Sequence, residues 1–330
     1  MSVFGEFCDL MDQYGASGIP FIFAVDYKCL KPLIWKAGEV PPDVSYNFGG
    51  FSNCSDDDNT GMAAAGFLKH PLSFECYEKS FSLVKKNIGR GESFLVNLSA
   101  PTPVETELSF PEIFARSRAR YRFRLADEFV CFSPETFVKI RDGIIATNPM
   151  KGTIDAGMPG AAQLVLDNPK EAAEHATIVD LLRNDLSRVA EKVWVERYRY
   201  LDTIRTSDKT LLQVSSEIQG VLRSELRRSF GTVLSEMLPA GSVTGAPKVR
   251  TCQIIEEAEG YERGYYTGVM GYFDGECFDS AVMIRFIERG ASGLIFKSGG
   301  GITANSDARS EYLELIDKVY LPIPASPAES

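Results

Sequence analysis

Two β-rich runs around the dipeptide Asp142-Gly143 constrain the fold more than any other feature of this chain. The first run spans Thr136 to Arg141 and the second spans Ile144 to Thr147. An Asp-Gly pair between such runs is typical of a hairpin with a tight primed turn. We therefore predict an antiparallel hairpin in which Arg141 pairs with Ile144.

Continuing that register beyond the hairpin places Glu135 opposite Met150, which brings Glu135 close to Lys151. A carboxylic acid beside a lysine can act as a proton donor and a nucleophile. In a random hairpin, a surface ion pair would be the ordinary outcome. The motifs farther along the chain make the chemical interpretation the stronger one.

The composition indicates a large globular protein. Of the 330 residues, 44% are hydrophobic and 24% are charged, which is enough for one large domain or two smaller ones. The formal net charge is -10, and no block of basic residues occurs, so a nucleic acid or an anionic membrane surface is a poor partner. No apolar run reaches about eighteen residues, so we expect no membrane span.

Cysteine and histidine usage indicates a cytoplasmic protein without a zinc site. The seven cysteines show no CxxC spacing, which fits free thiols in a reducing compartment. The first residues lack a basic segment followed by an apolar run, so we expect no secretory signal. With only His70 and His175 in the chain, a Ser-His-Asp triad is also a poor interpretation.

Periodicity and breaker residues predict an alternation of strands, hairpins and long helices. The predicted strands are 21–25 paired with 33–35, 93–99 with Phe94, Val96 and Leu98 on one face, and 294–297; a second hairpin is predicted over 265–288. The predicted helices are 74–88, one beginning after Ser109, 168–189, 229–238, 247–260 and 307–319. This mixture favours an α+β fold with antiparallel sheets.

Two glycine-containing segments could approach a ligand through their backbone. The loop from Gly241 to Pro247, which includes Ser242 and Gly245, leads into a helix, where free amides can bind an anion. It does not match the phosphate-binding P-loop pattern. Gly299, Gly300 and Gly301 follow a strand. An ordinary helix entry and a tight bend remain equally good interpretations of the two segments.

Two pairs of carboxylates lie three residues apart on predicted helices, namely Glu171 with Glu174 and Glu311 with Glu314. Either pair alone is most often a solvated helix face. Together they could form an all-oxygen site of the kind that suits Mg²⁺. Arg285, inside an apolar strand, suggests a carboxylate partner, which an internal Asp or Glu could also supply.

The motifs taken together resemble those of the chorismate-utilising enzymes, which include the anthranilate, isochorismate, salicylate and aminodeoxychorismate synthases. The matching segments are 133–135, 150–153, 178–185, 239–248, 271–272, 284–285, 299–302 and 311–318. They extend over about three quarters of the chain. Lys151 before Gly-Thr resembles component I of the aminodeoxychorismate synthases, whereas anthranilate synthases carry alanine there.

The resemblance implies a single catalytic domain over 1–330, with two stacked antiparallel sheets, helices outside and a shortened N-terminal region of about 1–70. It implies that Glu174 and Glu314 bind Mg²⁺, with Glu171 and Glu311 supporting through water. It implies that the substrate is held by Thr153, Ser242, Gly245, Tyr272, Arg285, Gly299, Gly300, Gly301 and Lys318. Because the tryptophan pocket of long relatives lies in their N-terminal region, we expect no tryptophan binding here.

The activity implied is amination of chorismate to 4-amino-4-deoxychorismate for p-aminobenzoate and folate synthesis. Lys151 would be the nucleophile, with its pKa lowered, and Glu135 the acid, with its pKa raised. Ammonia would come from a separate glutamine amidotransferase subunit. Anthranilate or isochorismate formation and a catalytically silent chorismate-binding subunit are the alternatives. The sequence departs from the family pattern at Leu95 and Gln213, where glutamine and histidine are usual.

Overall fold

The computed structural model describes residues 2–54, 66–205, 210–321 and 323. The helices in these ranges are α1 (Val3–Ala16), α2 (Phe74–Gly89), α3 (Phe110–Arg116), α4 (Ala161–Asp167), α5 (Pro169–Ser187), α6 (Phe230–Met237), α7 (Lys248–Glu259) and α8 (Ala308–Asp317). None of them combines the length and the hydropathy needed to cross a bilayer.

The strands fall into two sheets. They are β1 (Phe21–Val25), β2 (Leu33–Lys36), β3 (Val44–Phe48), β4 (Phe51–Ser52), β5 (Phe67–Lys69), β6 (Leu95–Thr106), β7 (Tyr121–Leu125), β8 (Phe129–Ser133), β9 (Thr136–Arg141), β10 (Ile144–Thr147), β11 (Met150–Asp155), β12 (Ala190–Arg205), β13 (Thr210–Leu222), β14 (Gly245–Ala246), β15 (Val269–Phe273), β16 (Phe278–Val282), β17 (Phe286–Gly290) and β18 (Gly293–Ile302).

Every strand pair that the structure describes is antiparallel. Sheet 1 has the order β11-β13-β10-β9-β16-β15-β1-β2, and β12 also pairs with β13. Sheet 2 has the order β14-β6-β18-β17-β8-β7-β3-β4, and β5 also pairs with β6. The predicted class, two antiparallel sheets with helices, is therefore confirmed.

The alternation of side chains along β1 shows how the layers are built. Phe21 and Phe23 are buried in a cluster that also contains residues of α1, α5 and α6. Ile22 and Ala24, which point to the opposite face, are buried with Phe48 of β3 and other residues of sheet 2. Sheet 1 thus contacts helices on one face and sheet 2 on the other.

Helices cover the outer face of sheet 2 in the same way. Buried side chains of α2, α7 and α8 pack with Val96, Leu98 and Ile302 from β6 and β18. A further cluster joins α3 to β8, β17 and β18. Ser109 and Glu112 form a capping box at the start of α3, as its predicted cap requires.

The predicted central hairpin is confirmed, but its ladder is shorter than predicted. Arg141 pairs with Ile144, as the Asp-Gly turn predicted, and the pairing ends at Lys139 and Ala146, so Glu135 and Met150 are not part of it. Strand β11 continues β10 along one edge of β13 in the same register, because Ile144 pairs with Val221 and Met150 with Ser215. Strand β12 pairs with the other edge of β13.

Four other local predictions are corrected. The second hairpin closes between β15 and β16, but its return arm then leaves sheet 1, and β17 pairs with β8 and β18 of sheet 2. Arg285 lies at this crossover with φ +54°, outside any strand. Phe94 precedes β6 and is 67% exposed, so it does not share the buried face of Val96. The three glycines 299–301 lie inside β18, whose pairing with β6 continues to Ile302.

Candidate active site

The edge strand β11 places Lys151 against helix α5. Its Nζ lies 2.7 Å from Glu174 Oε2. Gly152, which follows it, has φ +73°, and a Cβ there would lie 3.3 Å from Glu171 Oε2. Lys151, Glu171 and Glu174 therefore lie together, and the tight approach of β11 to α5 explains why glycine follows the lysine.

A second pair of carboxylates approaches from helix α8. Lys170 Nζ lies 3.8 Å from Glu174 Oε1 and 3.7 Å from Glu311 Oε1, so it bridges α5 and α8. Glu314 forms an ion pair of 2.8 Å with Lys318. The four predicted metal carboxylates thus form one charged cluster with Lys151, Lys170 and Lys318.

The cluster suits a hard cation in its chemistry. Among the described residues no three acidic, histidine or cysteine side chains already converge on one point as metal ligands, and lysine ammonium groups stand between them. Glu174 is nevertheless buried, and its Oε1 has no hydrogen-bond donor. A buried carboxylate oxygen without a donor, among three other carboxylates, fits a site for Mg²⁺.

Glu135 directly precedes β9 and is half-buried. The hydroxyl of Ser242 donates a hydrogen bond of 2.5 Å to its Oε1, and its backbone carbonyl accepts a hydrogen bond from Val282. Burial raises the pKa of Glu135 above its ordinary value, although Ser242, Lys318 and Arg285 each oppose the shift. The structure therefore agrees with a carboxyl group that can keep its proton.

The expected fall in the pKa of Lys151 is not found. Burial alone lowers the pKa of Lys151, but the attraction and hydrogen bond of Glu174, with smaller contributions from Glu314 and Glu171, outweigh burial. The net shift is upward. Exclusion of water was the wrong basis for that prediction, because a carboxylate at 2.7 Å stabilises the ammonium form.

Of the residues predicted to bind the substrate, the structure brings together Arg285, Lys318 and Gly299. They line a cavity of about 60 Å³ with Tyr266. The guanidinium of Arg285 donates to the backbone carbonyl of Lys318 at 3.0 Å, and Lys318 Nζ donates to the carbonyl of Gly299 at 2.9 Å. Arg285 and Lys318 therefore lie beside one small cavity, which Lys297 also lines, and two such cations suit the recognition of a carboxylate.

The structure does not place Tyr272 at this cavity. Its ring stacks on Phe51 at 4.4 Å and on Phe48 at 5.8 Å between centroids. Tyr266, which sequence reasoning missed, lines the cavity instead. The sequence held one signal for this difference. Tyr266 lies just before Gly268 and strand β15, outside the strand, whereas Tyr272 lies inside it.

The glycines serve different purposes. A Cβ at Gly300 would lie 3.6 Å from both Glu311 Oε2 and Lys318 Nζ, so this glycine faces the charged cluster. Gly299 packs against Ser99, and Gly301 faces Leu95. Gly245 has φ +124°, and a Cβ there would lie 1.8 Å from the carbonyl oxygen of Leu95. Packing on β6 is therefore sufficient reason for glycine at 245.

Thr153 lies in β11 on the exposed side of the site. Its hydroxyl accepts a hydrogen bond of 3.4 Å from the side-chain amide of Gln213 in β13. One of the two departures from the family pattern thus lies directly beside a predicted substrate contact. A histidine at 213 would offer a shorter and stiffer donor than glutamine does.

Two buried ion pairs, also missed from the sequence, hold the loop that carries Ser242. Lys248 Nζ lies 2.8 Å from Asp185 Oδ1 and donates to the carbonyl of Met237. Arg263 pairs with Glu259 at 2.5 Å, with both side chains almost fully buried, and donates to the carbonyl of Val243 at 2.9 Å. Removing one partner of such a pair leaves an uncompensated buried charge, so both pairs fix the loop firmly.

Comparison of the sequence with known proteins identifies a family and several relatives. The family profile described as chorismate binding enzyme matches residues 53–324. An uncharacterized PabA-like protein of Haemophilus influenzae is 46% identical over 98% of this chain and 98% of its own length. Aminodeoxychorismate synthase component 1 of Bacillus subtilis is 30% identical over 78% of this chain and 56% of its own length. Anthranilate synthase component 1 of Archaeoglobus fulgidus is 33% identical over 75% of this chain and 61% of its length.

Solved structures show the same fold. Anthranilate synthase component I of Streptococcus pneumoniae superimposes with a TM-score of 0.66 and 29% identity, over 79% of this chain and 60% of that one. The chain thus spans little more than half the length of the synthases it matches. The matched profile covers more than four fifths of the sequence, and the chain therefore belongs to the chorismate-binding enzymes.

Proposed function

We propose that this protein is an aminodeoxychorismate synthase component I, which converts chorismate and ammonia to 4-amino-4-deoxychorismate. The observation that carries the proposal is Lys151, placed on an edge strand with its Nζ 2.7 Å from a buried carboxylate of α5. A lysine held among the carboxylates of the site is a candidate nucleophile. Similarity to aminodeoxychorismate synthase component 1 of Bacillus subtilis supports the choice.

The reaction assigns separate roles to Lys151 and Glu135. The neutral amine of Lys151 attacks ring C2 of chorismate, both ring double bonds shift by one position, and the bond from C4 to its hydroxyl breaks. Glu135 donates the proton that lets the hydroxyl leave as water; the upward shift of its pKa supports this role. Ammonia then adds at C4, both double bonds shift back, and the bond from C2 to the Lys151 nitrogen breaks; the added nitrogen loses one proton and the departing amine takes one up.

Lys151 must lose its proton before it can attack. Glu174 stabilises its ammonium form in the ion pair, so the amine becomes reactive where that contact is loosened. Glu174 and Glu314 would hold Mg²⁺, with Glu171 and Glu311 supporting it through water. When bound, the ion would neutralise these carboxylates and help to hold a carboxylate of chorismate.

The other carboxylate of chorismate is assigned to Arg285 and Lys318, beside Tyr266 and Gly299. Ser242 orients Glu135 through its hydrogen bond. Thr153 faces the ring from β11. These residues supply binding and orientation, which in an amination of this kind contribute as much as the covalent step.

The proposal includes a glutamine amidotransferase as the second subunit and ammonia as the transferred group. Matched relatives are named as component 1 proteins, which supports a second component. We propose that the protein acts in the cytoplasm, and the seven cysteines, all free thiols, agree with a reducing compartment.

The test is the identity of the product. Purified protein is incubated with chorismate, Mg²⁺ and an ammonium salt, and the products are separated by mass spectrometry. The proposal requires 4-amino-4-deoxychorismate as the main product. Anthranilate or isochorismate would assign another reaction of the same family. Chorismate that binds and is never consumed would identify a catalytically silent subunit.

A further inference from the structure

A second cavity is lined by Leu238 and Pro239, which lead into the loop that carries Ser242. It has a volume of about 490 Å³ and is bounded by α1, the segment after β1, α6 and α7. Its apolar wall includes Phe4, Cys29, Leu238, Cys252 and Ile255. This size is within the usual range for small-molecule sites and is several times that of the cavity beside Arg285.

The inner wall of this cavity is rigid and its hydrogen bonds are satisfied. The guanidinium of Arg263 donates hydrogen bonds to the Glu259 carboxylate, to the backbone carbonyls of Val243 and Asn97, and to the Thr267 hydroxyl. Its plane also lies 4.7 Å from the ring of Tyr27. The inner wall therefore offers an aromatic and aliphatic surface and no free charge to an entering molecule.

The mouth of the cavity carries the charge that is available for recognition. Lys28 Nζ lies 3.0 Å from both Glu256 Oε1 and Glu262 Oε1. The two carboxylates are 71% and 75% exposed, and Lys28 is 38% exposed. Two carboxylates share a single ammonium group, so the mouth keeps a formal charge of about -1.

We infer that this cavity is a binding site for a small molecule that has an aromatic or aliphatic body and a primary ammonium head. The body would fill the space between Phe4, Leu238 and Cys252. The ammonium group would take the place of the Lys28 amine between Glu256 and Glu262, and Lys28 would turn into solvent. An anionic molecule would meet the net negative mouth and is selected against.

One side chain, that of Arg263, connects this cavity to the loop that carries Ser242. Arg263 lines the cavity and donates to the carbonyl of Val243, and Val243 follows Ser242, the residue that holds Glu135. The bound molecule is distinct from chorismate, because chorismate is a dianion whereas this mouth favours a cation. The assignment does not depend on the proposed product.

The test uses three probes of similar size: 2-phenylethylamine as the cation, 2-phenylethanol as the neutral compound and 3-phenylpropanoate as the anion. Thermal unfolding of the full chain is followed as each concentration rises. We expect 2-phenylethylamine to raise Tm by about 2 °C at tenfold excess over its Kd, the alcohol to give a smaller rise, and the anion to give none.

Two variants locate the binding. Cys252→Phe fills the cavity and should abolish the Tm rise, while Cys76→Phe, at an exposed position of α2, should keep it. If Cys252→Phe does not fold, the double variant Glu256→Gln, Glu262→Gln tests the inference, because both positions are exposed. It should reduce the affinity for the amine at least fivefold and leave the affinity for the alcohol unchanged. No shift with any probe, an equal or larger shift with the anion, or an unchanged amine affinity in these variants would overturn the inference.

Discussion

Lys151 Nζ lies 2.7 Å from Glu174 Oε2, and this contact joins the candidate nucleophile to the candidate metal site. The same carboxylate therefore has two roles: it keeps Lys151 charged at rest and would bind Mg²⁺ during turnover. A cation that draws Glu174 away from the lysine would also free the amine. The metal site and the nucleophile are thus coupled through a single side chain.

Glu174→Gln should abolish turnover while the fold survives. A neutral amide is a weaker ligand for a hard cation than a carboxylate, so the affinity for Mg²⁺ should fall by about 10- to 100-fold. Glu314→Gln should behave in the same way. Chorismate consumption is measured against Mg²⁺ concentration, with Glu78→Gln, at an exposed position of α2, as the control. Near wild-type activity of either variant at limiting Mg²⁺ would contradict the assignment of its carboxylate.

Tyr266→Phe should raise the KM for chorismate and Tyr272→Phe should not. Tyr266 lines the cavity beside Arg285, whereas the ring of Tyr272 is stacked on Phe51. Loss of one hydrogen bond to a bound substrate costs about 1 kcal/mol, which corresponds to roughly a fivefold rise in KM. Steady-state kinetics of the two variants, each with its melting temperature, make the comparison. Equal effects of the two substitutions would show that the cavity is not the carboxylate site.

The sequence predicted the elements of the fold well, because turn residues and caps act locally. The Asp142-Gly143 hairpin, the Asn168 cap of α5 and the Asp307 cap of α8 are all as expected. The hairpin register does not extend to Met150, because the ladder between β9 and β10 ends at Lys139 and Ala146. Met150 and Lys151 pair with β13, more than sixty residues later. Local pattern carries no information about which distant strand will pair with a segment.

The candidate site shows the same division between local and distant information. Motifs identified Glu135, Lys151 and the four carboxylates, and the structure shows that the carboxylates face one another across α5 and α8. That Tyr266 lines the cavity and Tyr272 does not depends on the way the chain approaches sheet 1. The upward shift in the pKa of Lys151 depends on a contact between two elements, which periodicity does not reveal.

Glu135→Gln should make the stability of the protein less dependent on pH. Because burial raises the folded-state pKa of Glu135, the folded protein holds this proton more tightly than the unfolded chain does. Its contribution is fully present below the unfolded pKa of about 4.3 and is lost as pH rises through the raised folded pKa. The variant and the wild type should therefore differ least at pH 4 and most at pH 8, where the variant melts at the higher temperature.

Urea or thermal unfolding of wild type and Glu135→Gln across this pH range tests the sign of the change in their stability difference. Asp180→Asn, a substitution of an exposed carboxylate on α5, is the control and should leave the pH dependence of wild type unchanged. A wild-type protein that gains stability relative to Glu135→Gln as pH rises would show that Glu135 is ionised in the folded state. Its role as an acid would then fail.

Glutamine alone should support no reaction, whereas ammonium salts should. At a fixed total ammonium concentration, chorismate amination should rise with pH as the fraction of free ammonia rises, until Glu135 loses its proton. The measurement is initial rate against pH with each nitrogen source in turn. Turnover of glutamine by the purified chain without a second protein would contradict the two-subunit account.

The most direct test of the central claim is whether chorismate forms a covalent adduct with Lys151. Wild-type protein is incubated with chorismate and Mg²⁺ without ammonia, quenched and digested, and its peptides are mapped by mass spectrometry. Lys151→Ala and Lys170→Ala are the matched variants, since both lysines contact Glu174 but only Lys151 is assigned as nucleophile. The account predicts a chorismate-derived mass on the peptide that contains Lys151 in wild type and in Lys170→Ala, and none in Lys151→Ala. Equal rates of amination in wild type and Lys151→Ala, with no adduct in either, would contradict it.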